Sequence, residues 1–303
     1  MYDILIIGSG AAGLSAAVYA SREMLKFAVI EKIFMGTGQI AESEQVDNYP
    51  GLYALSGYEI GEKLREHAVA LGTEFINGDV AEIIPVENYY QLKLTNGKTF
   101  DTKTIVFAAG AAHRKLGIKG EDEFTGRGVA YCAVCDAAFY RDKTVAVVGG
   151  GDSALGEAML LSKFAQKVYL IHRSESFKAN KLIQERIKNV PNVEIILNTQ
   201  VLEIIGDKKV EKIKISQENS EKEISLDGVF VAIGSKPNSE LLANLVELDK
   251  GGYVVADEDG VTSAKGIFAA GDVRTKKLRQ VITAASDGAN CVISAEEYLS
   301  NLN

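Results

Sequence analysis

Two of the three cysteines in the 303-residue chain, Cys132 and Cys135, have two residues between them, and Asp136 follows Cys135 directly. A zinc site would need four ligands, usually from a second such pair or from histidines, and the remaining cysteine, Cys291, is far away in the sequence. A structural disulfide across so short a loop would stabilise the fold little and would not persist in a reducing compartment. We therefore predict no metal site and a working redox pair, in which one thiolate attacks a disulfide and the second cysteine resolves the mixed disulfide.

The elements that must position this pair begin at the N-terminus. The segment YDILIIGSGAAGLSAAVYASREMLKFAVIEK has the pattern of a βαβ unit, with a β-rich run, a helical stretch and a second β-rich run. Gly8, Gly10 and Gly13 form the G-x-G-x-x-G pattern at the strand-to-helix turn, which lets the backbone approach a pyrophosphate. Glu31, at the end of the second strand, can accept hydrogen bonds from a free ribose. The unit is therefore predicted to bind FAD or NAD.

A second copy of this pattern, KTVAVVGGGDSALGEAMLLSKFAQKVYLIHR, follows in the middle of the chain. It places Gly149, Gly151 and Ala154 at the turn positions. His172 comes 23 positions after Gly149, just as Glu31 comes 23 positions after Gly8. The second copy ends on His172 and Arg173, and positive charge at this place suits the 2′-phosphate of NADPH. The two copies predict one fold that binds two different dinucleotides.

The order of the remaining segments predicts that the second unit is inserted into the first. The segment TIVFAAG ends in Gly110, and the C-terminal GIFAAGDV repeats this pattern and adds Asp272. An acid at the carboxyl end of a strand is well placed to reach a ligand that binds there. We predict an α/β fold with two Rossmann-like, three-layer dinucleotide-binding domains. The FAD-binding domain would be discontinuous and comprise residues 1–113 and 246–303, and the NAD(P)H-binding domain with the cysteine pair would comprise residues 114–245.

The composition describes a globular protein, with 47% hydrophobic residues and a formal net charge of −8. The negative charge argues against nucleic acid and anionic membrane surfaces as main partners, because both would be repelled. The apolar N-terminal run carries Asp3 and is broken by glycines, so neither a signal peptide nor a membrane span is expected there. Three cysteines in so long a chain favour a reducing, cytoplasmic setting.

Some predictions concern residues outside these motifs. Asn96-Gly97 is a strong hairpin turn signal, and the charged segment SQENSEKE is predicted to form an exposed hairpin or loop. Cys291 is predicted to be a small buried hydrophobe. His67 and His113 are predicted to lie on solvated surfaces.

With these motifs in place, the sequence resembles the low-molecular-weight bacterial thioredoxin reductases over essentially the whole chain. The resemblance also rests on the segments GTGQI, VDNYPG, GRGVAYCAVCD and RQVITAASDGA. It implies FAD in the discontinuous domain, held by Gly8, Gly10, Ala11, Ala12, Gly13, Glu31, Gly38, Gln39, Asn48, Gly110, Gly271, Asp272, Gln280 and Val281. It implies NADPH in the inserted domain, held by Gly149, Gly151, Asp152, Ser153, Ala154, His172, Arg173, Ser174 and Lys178.

The resemblance also implies roles for the redox motif. Cys135 would face the flavin, Cys132 would attack the partner disulfide, and Asp136 would be the acid–base group that handles the proton. Asp136 could instead be only an acid that begins a helix. The implied activity is that of an NADPH-dependent thioredoxin-disulfide reductase, in which electrons pass through FAD to the cysteine pair and on to thioredoxin or a thioredoxin-like protein. A homodimer is implied as well.

Three departures from the family pattern leave alternatives open. Ser174 and Lys178 stand where the family usually has arginines, which loses planar bidentate contact with a phosphate. Ala138, before Phe139, replaces one of two phenylalanines that often dock thioredoxin, and Ala109 replaces the threonine of a strand-end ATG segment. The chain could therefore be a related dithiol reductase that takes electrons from NADH or reduced ferredoxin, or one that acts on a different thioredoxin-like partner.

Overall fold

The computed structural model of the protein describes residues 1–33, 35–43, 45–218 and 220–302. The chain divides into two compact units, the first made of residues 1–43, 49–112 and 236–303 and the second of residues 44–48 and 113–235. The return to the first domain was predicted at residue 246, whereas in the structure the chain returns to the first unit at residue 236. The physical reason is burial, because Leu242 and Val246 belong to a hydrophobic core that they share with strands of the first unit.

The helices and strands of the described residues are numbered here in chain order. The helices are α1 (Ala11–Arg22), α2 (Gly57–Ala70), α3 (Ala133–Asp136), α4 (Asp152–Leu161), α5 (Lys181–Lys188) and α6 (Val281–Ser300). Short 3-10 turns cover Gln39–Glu42, Ala137–Tyr140, Glu240–Leu242 and Gly271–Val273. The strands are β1 (Tyr2–Ile7), β2 (Phe27–Glu31), β3 (Phe75–Asn77), β4 (Val80–Val86), β5 (Tyr89–Leu94), β6 (Thr99–Phe107), β7 (Ala111–His113), β8 (Val129–Ala130), β9 (Thr144–Val148), β10 (Lys167–Ile171), β11 (Val193–Ile196), β12 (Thr199–Gly206), β13 (Val210–Gln217), β14 (Ser220–Ser225), β15 (Gly228–Val231), β16 (Ser235–Pro237) and β17 (Ile267–Ala269).

The first unit is built on a sheet with the strand order β3-β2-β1-β6-β5-β4, to which β17 is added beside β6. Strands β1, β2, β3, β6 and β17 run parallel, and β4 and β5 are antiparallel. Strand β6 has two neighbours on one side, because its first half pairs with β5 and its second half, Ile105–Phe107, pairs with β17. The part of the chain after residue 236 therefore completes this sheet.

Both faces of the first sheet are buried. Along β1, Ile4 and Ile6 belong to one hydrophobic core, and Leu5 and Ile7 belong to another. This alternation follows from the side-chain period of two, and burial on both faces is typical of parallel strands that are covered by other elements. Helices α1 and α6 cover the first face with mostly small side chains, among them Ala12, Ala16, Ala17, Val292 and Ala295.

The second unit has a parallel sheet of its own, with the strand order β11-β10-β9-β15-β8. Along β9, Val145 and Val147 enter one core and Ala146 and Val148 another, so the pattern of the first unit is repeated. An antiparallel sheet of β12, β13 and β14 is added to it. The predicted α/β class, with a βαβ unit at each glycine-rich turn, is therefore present in both units.

The minor predictions have mixed outcomes. Gly97, with φ of 84°, lies in the turn between β5 and β6, and Cys291 is fully buried, as predicted. The segment SQENSEKE lies in the β13–β14 hairpin, although its Asn219 is outside the described residues. His67 is exposed, as predicted, but the prediction for His113 was wrong: its ring stacks on Tyr131 with 5.0 Å between centroids, and burial lowers the pKa of His113.

No helix among the described ranges is long and apolar enough to span a bilayer.

Candidate redox and dinucleotide sites

Cys132 and Cys135 form a disulfide at the start of α3, with their Cα atoms 5.3 Å apart. Cys132 is the N-cap of this helix. Its Sγ accepts the backbone N–H of Cys135 at 3.2 Å, and its carbonyl oxygen accepts the N–H of Asp136 at 3.1 Å. Both cysteines are partly exposed, as a pair that exchanges disulfides with another protein requires. The predicted pairing is confirmed, and the described residues contain no cluster of histidine, cysteine and acidic side chains that could hold a metal.

The glycine-rich turn between β1 and α1 leaves a stretch of bare backbone. A Cβ atom on Gly8, whose φ is 106°, would lie 2.4 Å from the carbonyl oxygen of Ala108, and one on Gly13 would lie 1.8 Å from the carbonyl oxygen of Gly8. Gly10, the N-cap of α1, faces Gly38, where a Cβ would come within 2.8 Å of the Gly10 Cα. The start of a 12-residue helix presents unpaired N–H groups, so this turn fits a pyrophosphate.

A buried acid lies just beyond the carboxyl end of β17. Asp272 belongs to the 3-10 turn after the strand, and its Oδ1 is buried with no hydrogen-bond partner among the described residues. Burial raises the pKa of Asp272, although the charges of Lys276 and Arg279 oppose this rise. Since buried polar atoms are nearly always hydrogen-bonded, a ligand hydroxyl would satisfy this oxygen. Asp272 therefore fits the hydroxyl-bearing chain of a flavin nucleotide.

The second unit contains a cavity of about 760 Å³ at the turn between β9 and α4. Ala154 is fully buried behind this turn. If Gly149 carried a Cβ atom, that atom would lie 2.8 Å from the Cβ of Ala154. The other eight residues predicted to hold the nicotinamide nucleotide line the cavity: Gly149, Gly151, Asp152, Ser153, His172, Arg173, Ser174 and Lys178. Arg114 and Lys115 line it too, although the sequence analysis missed them because no motif surrounds them. The basic side chains suit an anionic ligand.

His172 has a packing role that the sequence analysis did not foresee. Its imidazole lies against Gly150, where an added Cβ would come within 2.2 Å of Cε1, and its ring centroid is 5.5 Å from that of Phe177. Burial lowers the pKa of His172, and the charges of Arg173 and Lys178 lower it further. The lowered pKa favours the neutral ring over the charged one.

A family model described as pyridine nucleotide-disulphide oxidoreductase matches residues 2–288. The chain is 41% identical to the curated thioredoxin reductase of Listeria innocua, over all of this chain and 95% of the relative. The chain belongs to the pyridine nucleotide-disulphide oxidoreductase family, among its thioredoxin reductases. The solved thioredoxin reductase of Streptococcus pyogenes is 40% identical, with a TM-score of 0.94 over 99% of both chains. A ferredoxin-flavin thioredoxin reductase from Clostridium acetobutylicum is 33% identical, with a TM-score of 0.54 over 99% of this chain and 98% of that chain.

These comparisons confirm the predicted resemblance and the fold with two dinucleotide-binding domains. The low-molecular-weight thioredoxin reductases are also the class to which the redox motif and the two glycine-rich turns pointed. The roles of individual residues stay predictions.

In this thioredoxin reductase, the acid at the end of β2 has a partner that the sequence analysis missed. Glu31 is 2% exposed, and its two carboxylate oxygens accept hydrogen bonds from the Arg65 guanidinium at 2.7 and 2.9 Å. Arg65, on α2, also donates to the Gly36 carbonyl oxygen at 3.3 Å and lies 4.0 Å from the centre of the Phe75 ring. Each Glu31 oxygen keeps a further acceptor position for a ribose hydroxyl. Nothing in the sequence marked Arg65, because 34 residues separate the two side chains.

The other residues implied for FAD lie at the ends of elements, with one exception. Ala11 and Ala12 open α1, Gln39 opens a 3-10 turn, and Val281, after its N-cap Gln280, opens α6. Gly110 and Gly271 follow strands β6 and β17 with φ of 69° and 76°. The exception is Asn48. It groups with the second unit, whereas the resemblance implies FAD in the first.

A second acidic side chain lies near the redox motif. Glu157 lies on α4, which packs against α3, and its Oε2 is buried with no hydrogen-bond partner among the described residues. Burial raises the pKa of Glu157 to about 7, and the negative charge of Asp136 contributes to that rise. No sequence motif marks Glu157, because it lies 21 positions after Asp136, within the second glycine-rich unit.

Proposed function

We propose that this chain is a flavin-dependent thioredoxin-disulfide reductase that takes its electrons from NADPH. The observation that carries the proposal is the disulfide-bonded, partly exposed Cys132–Cys135 pair in the same unit as the cavity at the second glycine-rich turn. Full-length relatives at 40–41% identity bear the name thioredoxin reductase, which supports the same activity here.

In the proposed cycle, the reduced cysteine pair gives two electrons to thioredoxin. The Cys132 thiolate attacks one sulfur of the thioredoxin disulfide, which forms a mixed disulfide and releases one thioredoxin thiolate. Cys135, after losing its proton, attacks Cys132 Sγ, which re-forms the Cys132–Cys135 bond and releases the second thiolate. Asp136 takes the proton of Cys135 and gives one to a leaving thiolate, so that one proton moves with the two electrons.

We assign FAD to the first unit. FAD, when bound, supplies the chemistry that converts the hydride of the nicotinamide into the electron pair for the Cys132–Cys135 disulfide. Gly8, Gly10 and Gly13 would leave room for its pyrophosphate, and Glu31 and Asp272 would accept hydrogen bonds from hydroxyl groups. The orphaned Asp272 Oδ1 supports this assignment.

We assign NADPH to the cavity of the second unit. Arg173, Lys178, Arg114 and Lys115 line that cavity, and their charges would attract the 2′-phosphate. The hydroxyl of Ser174 would contribute a hydrogen bond without charge. We expect preference for NADPH over NADH, but a weaker one than a cluster of arginines would give.

The test is a steady-state assay of the FAD-loaded protein with NADPH and a bacterial thioredoxin, followed by the thioredoxin-dependent loss of NADPH absorbance. Turnover should disappear in the Cys132→Ser variant. A Cys291→Ser variant should keep it, because this thiol is buried and outside the motif. If the FAD-loaded protein reduced no small dithiol protein with either NADPH or NADH, the proposal would be wrong.

The second candidate function keeps the dithiol and changes the electron donor. Ser174 and Lys178 weaken the case for NADPH, and the similar chain from Clostridium acetobutylicum bears the name ferredoxin-flavin thioredoxin reductase. Stopped-flow bleaching of the flavin with NADPH, NADH and reduced ferredoxin decides between them. Fastest bleaching by ferredoxin would replace NADPH as the donor, and fastest bleaching by NADPH would exclude this candidate.

The partner and assembly follow from the same proposal. Ala138 is exposed and Phe139 partly buried, so we propose that thioredoxin or a thioredoxin-like protein docks beside them with one aromatic anchor. We also propose a homodimer that works in the cytoplasm. Light scattering of the FAD-loaded protein tests the dimer, and a comparison of several thioredoxin-like substrates by kcat/KM tests the partner.

A further inference from the structure

Asp287, on α6, is buried in a cluster of charged side chains. The residue is 4% exposed, and the side chains of its partners Arg274 and Lys276 are 2% and 6% exposed. Its Oδ2 accepts hydrogen bonds from Arg274 Nε at 2.9 Å and from Lys276 Nζ at 2.6 Å, and its Oδ1 accepts a second N–H of Arg274 at 2.8 Å. The same Oδ2 also accepts the backbone N–H of Gly271 at 2.8 Å.

The hydrogen bond from Gly271 fixes the turn that carries Asp272. The pairing of β17 with β6 ends at Ala270, whose N–H donates to the Phe107 carbonyl oxygen at 3.0 Å. Gly271 then turns away with φ of 76°, in the left-handed region that favours glycine. Its N–H is buried beyond the end of the strand, so it needs an acceptor from another element. Asp287 is that acceptor, and Asp272 is the next residue in the chain.

The neighbouring Gly288 brings the same helix against the start of α1. A Cβ on Gly288 would lie 2.0 Å from the carbonyl oxygen of Ala12, and one on Gly271 would lie 3.0 Å from the Cβ of Ala12. Ala12 belongs to the first turn of α1, whose unpaired N–H groups fit a pyrophosphate. Two adjacent residues of α6 therefore contact the two segments to which we assign FAD.

We propose that Asp287 is a positioning residue of the flavin site, which holds the Gly271–Asp272 turn so that the Asp272 carboxyl group stays available to the cofactor. The inference rests on the proposed assignment of FAD to the first unit. Asp272 Oδ1 is buried with no hydrogen-bond partner among the described residues. An oxygen buried in this way costs free energy, so the turn would relax toward a partner if nothing fixed it.

A purely structural role would need only the ion pairs. Arg274 and Lys276 would connect α6 to the segment after the turn equally well without the Gly271 N–H. The hydrogen bond from Gly271 is the contact that concerns the flavin site, because it lies directly beside Asp272. It can be removed separately from the charges.

The first experiment measures the dissociation constant of FAD by equilibrium dialysis of the FAD-loaded protein. Asp287→Asn should weaken FAD binding about tenfold or more, because it leaves two buried cations without their carboxylate and so releases the turn. Asp272→Ala should weaken binding as well. Since Asp287 acts through Asp272, the double variant should bind FAD at most about threefold more weakly than the weaker single variant, whereas independent losses would multiply.

Two results would overturn the proposal: unchanged FAD affinity in Asp287→Asn, or a further loss of more than about threefold in the double variant. The matched control is Glu296→Gln on the same helix. Its carboxylate accepts the Ser300 hydroxyl at 2.9 Å at the exposed end of α6, so this variant should bind FAD as wild type does.

A second pair of variants covers the case in which Asp287→Asn does not fold. Both carry Arg274→Met and Lys276→Met, so that no buried cation is left unpaired. Added to these, Asp287→Asn keeps an acceptor for the Gly271 N–H, and Asp287→Leu removes it. The variant with Asp287→Leu should bind FAD about tenfold more weakly than the one with Asp287→Asn, and Asp272→Ala should abolish this difference. Equal affinities before Asp272 is changed would refute the inference.

Neither measurement needs nicotinamide or thioredoxin. If the FAD affinities were as expected but no thioredoxin were reduced, the proposed function would fail while the role of Asp287 would stand. Unchanged FAD affinities in a protein that reduces thioredoxin would refute the role of Asp287 alone.

Discussion

Removing Arg65 tests whether the ion pair behind the first glycine-rich turn supports both stability and cofactor binding. In Arg65→Met, the Glu31 carboxylate, which is 2% exposed, would lose both guanidinium hydrogen bonds and remain buried. Breaking a buried pair on one side costs about 3–5 kcal/mol, because the other charge is left uncompensated. An exposed pair such as Glu185–Lys188 is worth only about 0.2–1 kcal/mol, so Lys188→Met is the control.

The assay is calorimetry of both variants without FAD, followed by titration with FAD. For a unit of this size, each kcal/mol lowers the melting temperature by about 2–4 °C, so Arg65→Met should lower that of the first unit by about 6–20 °C. FAD affinity should fall as well, because an unpaired Glu31 no longer has a fixed orientation toward a ribose. The double variant Glu31→Gln/Arg65→Met should recover part of the stability. If Arg65→Met melted within 2 °C of wild type, the Glu31–Arg65 pair would not have the role assigned to it.

Three further outcomes are expected. Cys135→Ser should still allow NADPH to bleach the flavin but should not reduce thioredoxin; continued thioredoxin reduction would contradict the proposed relay. Gly150→Ala should displace the His172 ring and weaken nicotinamide nucleotide binding about tenfold or more by isothermal titration, because its Cβ would lie 2.2 Å from that ring. Gly156→Ala is the comparison, because it lies outside the predicted nucleotide-binding residues and its Cβ would lie 4.0 Å from the nearest heavy atom. The raised pKa of Glu157 makes the free energy of unfolding fall as pH rises from about 4.5 to about 7, by up to about 3 kcal/mol, and stay level above that; denaturant titrations should show this fall in wild type and not in Glu157→Gln.

Local pattern was sufficient to predict the parts of the fold that depend on neighbours in the sequence. The glycine spacing around Gly8 and Gly149 predicted both βαβ units, because a tight turn into a helix needs those residue types at those places. The spacing of Cys132 and Cys135 likewise predicted their pairing. The residues predicted for the second nucleotide gather at one cavity for the same reason.

What could not be predicted depends on tertiary packing. Arg65 pairs with Glu31, 34 positions away, and the charge that acts on Glu157 is Asp136, 21 positions away. No sequence periodicity connects such residues. His172 has the residue type of a phosphate ligand, yet its ring packs against Gly150. The domain boundary was placed ten residues too late, because the sequence does not say that Leu242 is buried in the first unit.

The pairing of β17 with β6 also determines when the first unit can fold during synthesis. The ribosome completes residues 113–235 before it makes Ile267–Ala269 and α6, and synthesis proceeds at about 5–20 residues per second. Until then, the small side chains on α1 that α6 covers, such as Ala16 and Ala17, have no partner. A chain truncated near residue 240 should therefore have a folded second unit and an incomplete first unit. Chaperones that recognise apolar surface would bind the incomplete first unit. Addition of the last 60 or so residues would cover that surface and so release the chaperones.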